Sequence, residues 1–315
     1  MSRLLSKTTT KWIAGGLVLL PLVYLFGGYS ASQNLFPFPL LRAVKASIVS
    51  PPRRRQTEPP PRYSFDKDNR LASDLRKRAV PCPLQNDRTA VLLVMGQSNA
   101  ANHGGQRFQS EHGAEIVNFF GAQCFIAASP LLGATGINGE YWTLLANILL
   151  SSQAFDRVVL APVAVAATEV SRWARGGDLN ALLVNASADL RTQNYRVTHV
   201  LWHQGESDLW HGTSESEYAA RFLTVVDTLR VQDIKAPIFV SVATKCLSLT
   251  AFSPDNAVAR AQLLLPNSER KIFGGVNSDT IIGELDRFDD CHLSASGQHK
   301  IAAAWAQTIM KNASR

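Results

Sequence analysis

Beyond residue 88 the hydrophobic positions fall into two alternating patterns. Five short apolar runs bounded by polar or turn-forming residues read as strands: Ala90–Met95, Glu115–Phe120, Arg157–Val165, Val197–Trp202 and Pro237–Ala243. Among them, Tyr141–Ser152, Leu179–Thr192, Ser214–Gln232, Pro254–Leu265 and Ser294–Lys311 repeat apolar residues at helical spacing. The run Ala90-Val91-Leu92-Leu93-Val94-Met95 has no polar residue on either alternate face. That is the pattern of a parallel strand covered on both sides. Regular strand-then-helix alternation predicts an α/β fold, a parallel sheet with helices on both faces. No internal repeat and no second domain boundary interrupts it.

The N-terminal part follows different rules. Trp12 to Tyr29 carries no charge and is rich in Leu, Val and Gly. Eighteen residues at about 1.5 Å each span about 27 Å, enough to cross a bilayer core. An uncleaved anchor is the expectation. A cleaved signal peptide is the alternative, because Arg3, Lys7 and Lys11 form a basic leader, but the segment ends in Gly-Tyr-Ser-Ala-Ser, a poor cleavage site. Pro51-Pro52-Arg53-Arg54-Arg55 and Pro59-Pro60-Pro61 then read as a stiff tether. The expected divisions are a basic segment 1–11, a membrane span 12–29, a Pro/Arg-rich tether and lead-in 30–87, and one α/β domain 88–315. A single-pass membrane protein with an extracytoplasmic or periplasmic domain follows, although the basic residues flanking the span do not themselves favour export.

Charge changes the picture of partners. The chain is +7 overall, yet residues 1–57 hold eight basic residues and no acid, so the remainder is close to neutral. With no basic stripe in the folded part, nucleic acid is not an expected partner. Cys82, Cys124, Cys246 and Cys291 show no metal-binding spacing, so no metal site and no cofactor is expected. Cys246 follows a strand and Cys291 lies in a loop at the same end of the sheet, which predicts a Cys246–Cys291 disulfide, with Cys82–Cys124 as a second pair. Four buried thiols are the alternative.

Candidate chemistry sits at strand ends. Gly96-Gln97-Ser98-Asn99 closes the first run, where open α/β sheets bind ligands. Among seven histidines, His292 stands out in Asp289-Asp290-Cys291-His292, just before the last helix. An Asp three residues earlier can fold back on the imidazole, fixing its tautomer and stabilising the imidazolium formed when a serine proton is taken. Asp290 is the alternative orienter. Leu201-Trp202-His203-Gln204-Gly205-Glu206 ends another strand; Gln204 can offer a side-chain N–H to an oxyanion, while His203 and Glu206 read as structural groups. Gly133, Gly136 and Gly139 precede a helix, making Gly139 the first choice for a backbone oxyanion donor, with Gly136 next. Trp142, Trp173, Arg175 and Trp210 are candidates to line a glycan site.

Gly-Gln-Ser-Asn, Trp-His-Gln-Gly-Glu-Ser and Asp-x-x-His, in this order, resemble the blocks of SGNH (GDSL-like) hydrolases, and most closely the sialate O-acetylesterase and acetylxylan-esterase branch. The resemblance covers about residues 88 to 312; Thr168-Glu169-Val170-Ser171-Arg172-Trp173 is similar to a further segment of that branch, with Glu169 where Ser is usual. It implies a flavodoxin-like three-layer α/β/α sandwich. It also implies attack by Ser98 on an acetyl ester of a carbohydrate, His292 as base and then acid, and Asp289 as its orienter. Ser98 N–H, Gly139 N–H and the Gln204 side chain would hold the oxyanion, with Asn99 and Glu206 supporting the site and no cofactor required. The expected activity is therefore a membrane-anchored carbohydrate O-acetylesterase. An O-acetyltransferase using the same triad, or a non-catalytic glycan-binding module, are the alternatives.

Overall fold

The structure, a computed structural model, describes residues 63–248 and 250–313 together with residue 26. The basic segment, the rest of the expected membrane span and most of the tether lie outside the described residues. No helix among the described residues is long and apolar enough to cross a membrane.

β1 (Tyr63–Phe65) and β2 (Leu71–Asp74) form a separate antiparallel hairpin. The remaining strands make one sheet: β3 (Ala79–Val80), β4 (Thr89–Gly96), β5 (Ile116–Phe120), β6 (Gln123–Ile126), β7 (Arg157–Ala164), β8 (His199–His203), β9 (Ile238–Val242) and β10 (Ile272–Asn277). Their order is β10-β9-β8-β4-β7-β5-β6-β3. The six strands from β10 to β5 are parallel, as the alternation predicts. At the edge β6 is reversed, pairing antiparallel with both β5 and β3, which corrects the expectation of a parallel sheet throughout. Between β5 and β6 there are only Gly121 and Ala122, both with positive φ, a two-residue hairpin turn that reverses the chain at once.

The helices are α1 (Trp142–Ser151), α2 (Val170–Trp173), α3 (Asn180–Thr192), α4 (Glu206–His211), α5 (Glu215–Val231), α6 (Ala257–Leu264) and α7 (Ala295–Ala313). All five expected helices form within a few residues of their expected bounds. Strand β4 feeds two separate cores. Val91, Leu93 and Met95 pack with residues of α2, α3, α5 and α6, whereas Ala90, Leu92 and Val94 pack with α1 and α7. Successive strand side chains point to opposite faces, so a strand that is apolar throughout serves both layers. This is a three-layer α/β/α arrangement.

The described lead-in before residue 88 belongs to the same compact unit as the sheet. Strand β3 pairs with β6, and Cys82 is bonded to Cys124 in β6, fastening the lead-in to the sheet edge. Short strands of two to four residues carry no periodicity from which they could be read. The second disulfide, Cys246–Cys291, also forms.

Candidate active site

Ser98 is placed by the end of β4. Gly96 has φ +142°, and a Cβ there would collide with the carbonyl oxygen of His203, because β4 and β8 converge closely at this end. A 3-10 turn over Ser98–Ala100 follows. The Trp142 indole donates to Ala100 O at 2.7 Å and supports this turn from inside. Neither Ser98 Oγ nor its backbone N–H makes a hydrogen bond to another described residue.

Ser98 and His292 line one cavity of about 390 Å³, together with Gln97, His103, Ala166, Ala167, Glu206 and Trp210. These residues come from the C-terminal ends of β4, β7 and β8 and from the loop after β10, where such folds bind ligands. A larger hollow of about 790 Å³, lined by residues such as Arg191, Arg196 and Lys235, lies at the opposite end of the sheet. It holds no pairing of nucleophile and base, so the smaller cavity is the candidate site.

His292 is held by Asp289. Asp289 Oδ2 lies 2.7 Å from His292 Nδ1, and Asp289 Oδ1 accepts the backbone N–H of His292 at 2.6 Å and of Cys291 at 3.2 Å. Burial pushes the Asp289 carboxyl up, but these hydrogen bonds outweigh it and hold the group below the usual carboxylate range. With Nδ1 engaged, His292 Nε2 is the free nitrogen; it is buried and has no partner among the described residues. Asp290 has φ +64° and offers its carbonyl oxygen to Lys245 Nζ at 2.5 Å, with no carboxylate contact to His292.

Asn99 joins the serine turn to the histidine loop. Its Nδ2 donates to Glu206 Oε1 at 2.8 Å and to Cys291 O at 3.3 Å, while its Oδ1 accepts Leu293 N–H at 3.4 Å. Glu206 is buried, its Oε2 has no partner among the described residues, and burial raises its carboxyl to about 7. His203 is wholly buried. Its Nδ1 lies 2.7 Å from the Tyr141 hydroxyl, and burial pushes it down to about 3, which fits the structural role expected of it.

Several expected site residues are placed elsewhere. Gly139 N–H donates to Gly104 O at 3.0 Å and is therefore not free for an oxyanion; a Cβ at Gly139 would strike the Gln106 carbonyl, which explains the glycine. The Gln204 amide is wholly buried and donates to Thr168 O at 2.7 Å and Asp208 Oδ2 at 2.5 Å, which uses both its N–H bonds. Trp142 and Trp173 are core residues, the latter donating to Thr168 Oγ1 at 3.0 Å and packing edge-on against Trp202. Arg175 is exposed but does not line the cavity. Trp210 does line it and is 70% exposed.

Ala167 is the residue that sequence reasoning missed. It lines the cavity at the end of β7 with φ +55°, a left-handed conformation uncommon for alanine, and its N–H has no acceptor among the described residues. Such backbone strain, about 1 kcal/mol, gathers at functional sites. Nothing in the local sequence signals it. Among the described residues no group of three or more His, Cys, Asp or Glu is placed to hold a metal.

Residues 88–311 match the model of a family described as carbohydrate esterase, sialic acid-specific acetylesterase. No curated protein matches the chain. Among solved structures, a protein from Arabidopsis thaliana is similar at 21% identity and a TM-score of 0.58, over 71% of this chain and 98% of that one. The structure of NanS is similar at 16% identity and a TM-score of 0.49, over 73% and 99%. An acetyl xylan esterase, AlAXEase, is similar at 14% identity and a TM-score of 0.43, over 70% and 99%. At these identities the likeness to the Arabidopsis protein speaks for the fold alone.

Proposed function

We infer that this chain, which belongs to the family of carbohydrate esterases described as sialic acid-specific acetylesterases, removes acetyl groups from carbohydrate by covalent catalysis at Ser98. Family membership makes it a carbohydrate O-acetylesterase of the SGNH type; the residue roles are our reading. Ser98 Oγ attacks the ester carbonyl as its proton passes to His292 Nε2, the nitrogen left free when Asp289 holds Nδ1. The tetrahedral oxyanion accepts hydrogen bonds from the Ser98 and Ala167 N–H groups, each worth about 3 kcal/mol of barrier. Collapse breaks the bond to the sugar oxygen, which takes the proton from His292. Water then gives a proton to His292 and attacks the acetyl-serine, and acetate leaves as the proton returns to Ser98. Asn99 keeps serine turn and histidine loop in register.

The observation that carries this reading is the Asp289–His292 pair, at 2.7 Å, in a cavity that Ser98 also lines. Its test is hydrolysis of p-nitrophenyl acetate by the full chain and by Ser98→Ala. The variant should lose at least about 1000-fold in kcat while folding normally. Equal rates for the two would remove Ser98 from the mechanism.

The same proposal extends to location. The uncharged segment 12–29 anchors the chain, and the domain works outside the cytosol. The two disulfides support that placement, since such bonds persist in oxidising compartments. Membrane flotation of the full chain, against a chain lacking residues 1–57, tests it; a full chain that stays in the soluble fraction would sink the anchor.

A further inference from the structure

His292 does not stand alone in the cavity. The His103 ring lies nearly parallel to it, with centroids 5.5 Å apart and planes 23° from one another. His103 lines the same cavity and belongs to the segment after the serine turn. Its position is specified from several sides. His103 Nε2 lies 3.3 Å from Thr135 Oγ1, and that oxygen already accepts Ala166 N–H at 2.9 Å. The Thr135 hydroxyl can donate its proton to His103 Nε2, and in that arrangement the neutral ring carries its own proton on Nδ1. Gly136 has φ +85°, and a Cβ there would lie 2.8 Å from His103 Nε2, so the glycine leaves room for the ring. Beyond it, Gly105 N–H donates to Leu293 O at 2.9 Å, lacing this segment to the residue after His292.

A neutral aromatic face within about 6 Å of a cation attracts it. His292 becomes a cation only when it takes the serine or water proton, so the attraction grows in the steps that need it. We propose that His103 is a positioning residue for His292: its ring face holds the His292 imidazole in line with Ser98 and stabilises the imidazolium as it forms. The inference rests on His292 being the general base.

The charges around His103 suit that task. The titratable groups facing it are His292 and, across that ring, Asp289; Glu206 and His211 also line the cavity. Burial first, and then the neighbouring His292, push His103 down to about 4, with Asp289 opposing them. His103 thus stays uncharged at neutral pH and does not repel the imidazolium. Phe288 provides a second ring at 5.9 Å and 24° from His292, but it is exposed and carries no hydrogen bond that fixes its plane.

The test uses the full chain and p-nitrophenyl acetate, with pH profiles of kcat and kcat/KM for wild type, His103→Gln and His103→Phe. Gln keeps a polar partner for Thr135 but removes the ring; Phe keeps a ring face. His103→Gln should lose about tenfold in kcat with KM within about twofold, and its acidic limb should move down by about half a pH unit. His103→Phe should keep kcat within about threefold and leave that limb in place. A Gln variant with unchanged kcat and an unmoved limb overturns the proposal. So does a Phe variant impaired as severely as Gln while unfolding at the wild-type temperature. Where Phe lowers that temperature, the Gln arm decides alone. Ser98→Ala, run alongside, separates the two claims: an inactive Ser98→Ala with normal His103→Gln sinks only this inference, whereas a fully active Ser98→Ala sinks the serine mechanism beneath it.

Discussion

Glu206 makes the fold's stability depend on pH in an unusual direction. Its ordinary value is 4.5, and burial raises it in the folded chain to about 7, despite the lowering effect of the Asn99 hydrogen bond. An unfolded chain releases this proton near 4.5, while the folded chain keeps it until about 7. Between those values the folded state binds more protons than the unfolded one, so stability falls as pH rises through this window. At 1.36 kcal/mol per unit, the cost of ionising the buried group approaches about 3 kcal/mol above pH 8. Glu206→Gln tests the size of this effect, because glutamine copies the protonated acid in shape and still offers Asn99 Nδ2 an oxygen. Urea unfolding of both proteins from pH 5 to 8.5 should give similar stabilities at pH 5. The variant should then become more stable by about 2–3 kcal/mol at pH 8.5. Other titrating groups are common to both chains and cancel in the difference. Parallel curves across that range would show that Glu206 ionises normally and that water reaches its carboxylate.

Two further comparisons separate near neighbours. Asp289→Asn should lower kcat by about 100-fold or more, since the amide oxygen stays with the backbone N–H groups of Cys291 and His292 and the NH2 then faces Nδ1, which forces the imidazole proton onto Nε2. Asp290→Asn should stay within about threefold, because asparagine tolerates the left-handed backbone there; the reverse ranking would transfer the orienting role. Trp210→Ala should raise KM severalfold for an acetylated polysaccharide but not for p-nitrophenyl acetate, as only the former is large enough to use an exposed indole at the rim. Trp142→Ala should instead destabilise the fold by about 3–5 kcal/mol, measured by denaturant unfolding, because it empties a core position and removes the bond to Ala100 O. Equal effects of the two tryptophan changes on stability would contradict their burial.

How far the sequence reveals the fold depends on whether a segment's burial is uniform. β4 and β7 are buried almost throughout, so their apolar runs are unbroken and their bounds follow to within about two residues. β10 reads Ile-Phe-Gly-Gly-Val-Asn and lies at the open edge of the sheet. Two glycines in the middle look like a loop, yet a Cβ at Gly275 would press on the Val240 backbone and the Trp305 ring. The glycine there answers to close packing between β10, β9 and α7, which no local pattern encodes. The hairpin and β3 are too short for periodicity, and the membrane span concerns residues outside those described.

The site divides along another line. The strand-end position of Ser98 and the contact of Asp289 with His292 can be read from the sequence because each is local: a strand end, and a loop in which the acid stands three residues before the imidazole. Which backbone N–H groups stay open to the cavity cannot be read in this way, because a backbone N–H is free only if every other carbonyl in the fold stays away from it. Gly139 looks free in a glycine-rich loop, but Gly104 arrives from a distant segment and takes its N–H. Ala167 looks like an ordinary strand end, yet it turns left-handed, and its N–H at the cavity wall meets no acceptor among the described residues. Gln204 sits in a motif that suggests an exposed amide, but Thr168, Asp208 and Tyr218 enclose it. The amide thereby braces the loops after β7 and β8, the ones that deliver Ala167 and Glu206 to the cavity. Gln204→Ala should then act chiefly through geometry: turnover falls and stability falls with it, since Thr168 O loses its donor and Asp208 Oδ2 keeps only Val170 N–H. Were turnover to drop by about 100-fold or more while the unfolding midpoint stayed unchanged, Gln204 would return to direct contact with the oxyanion.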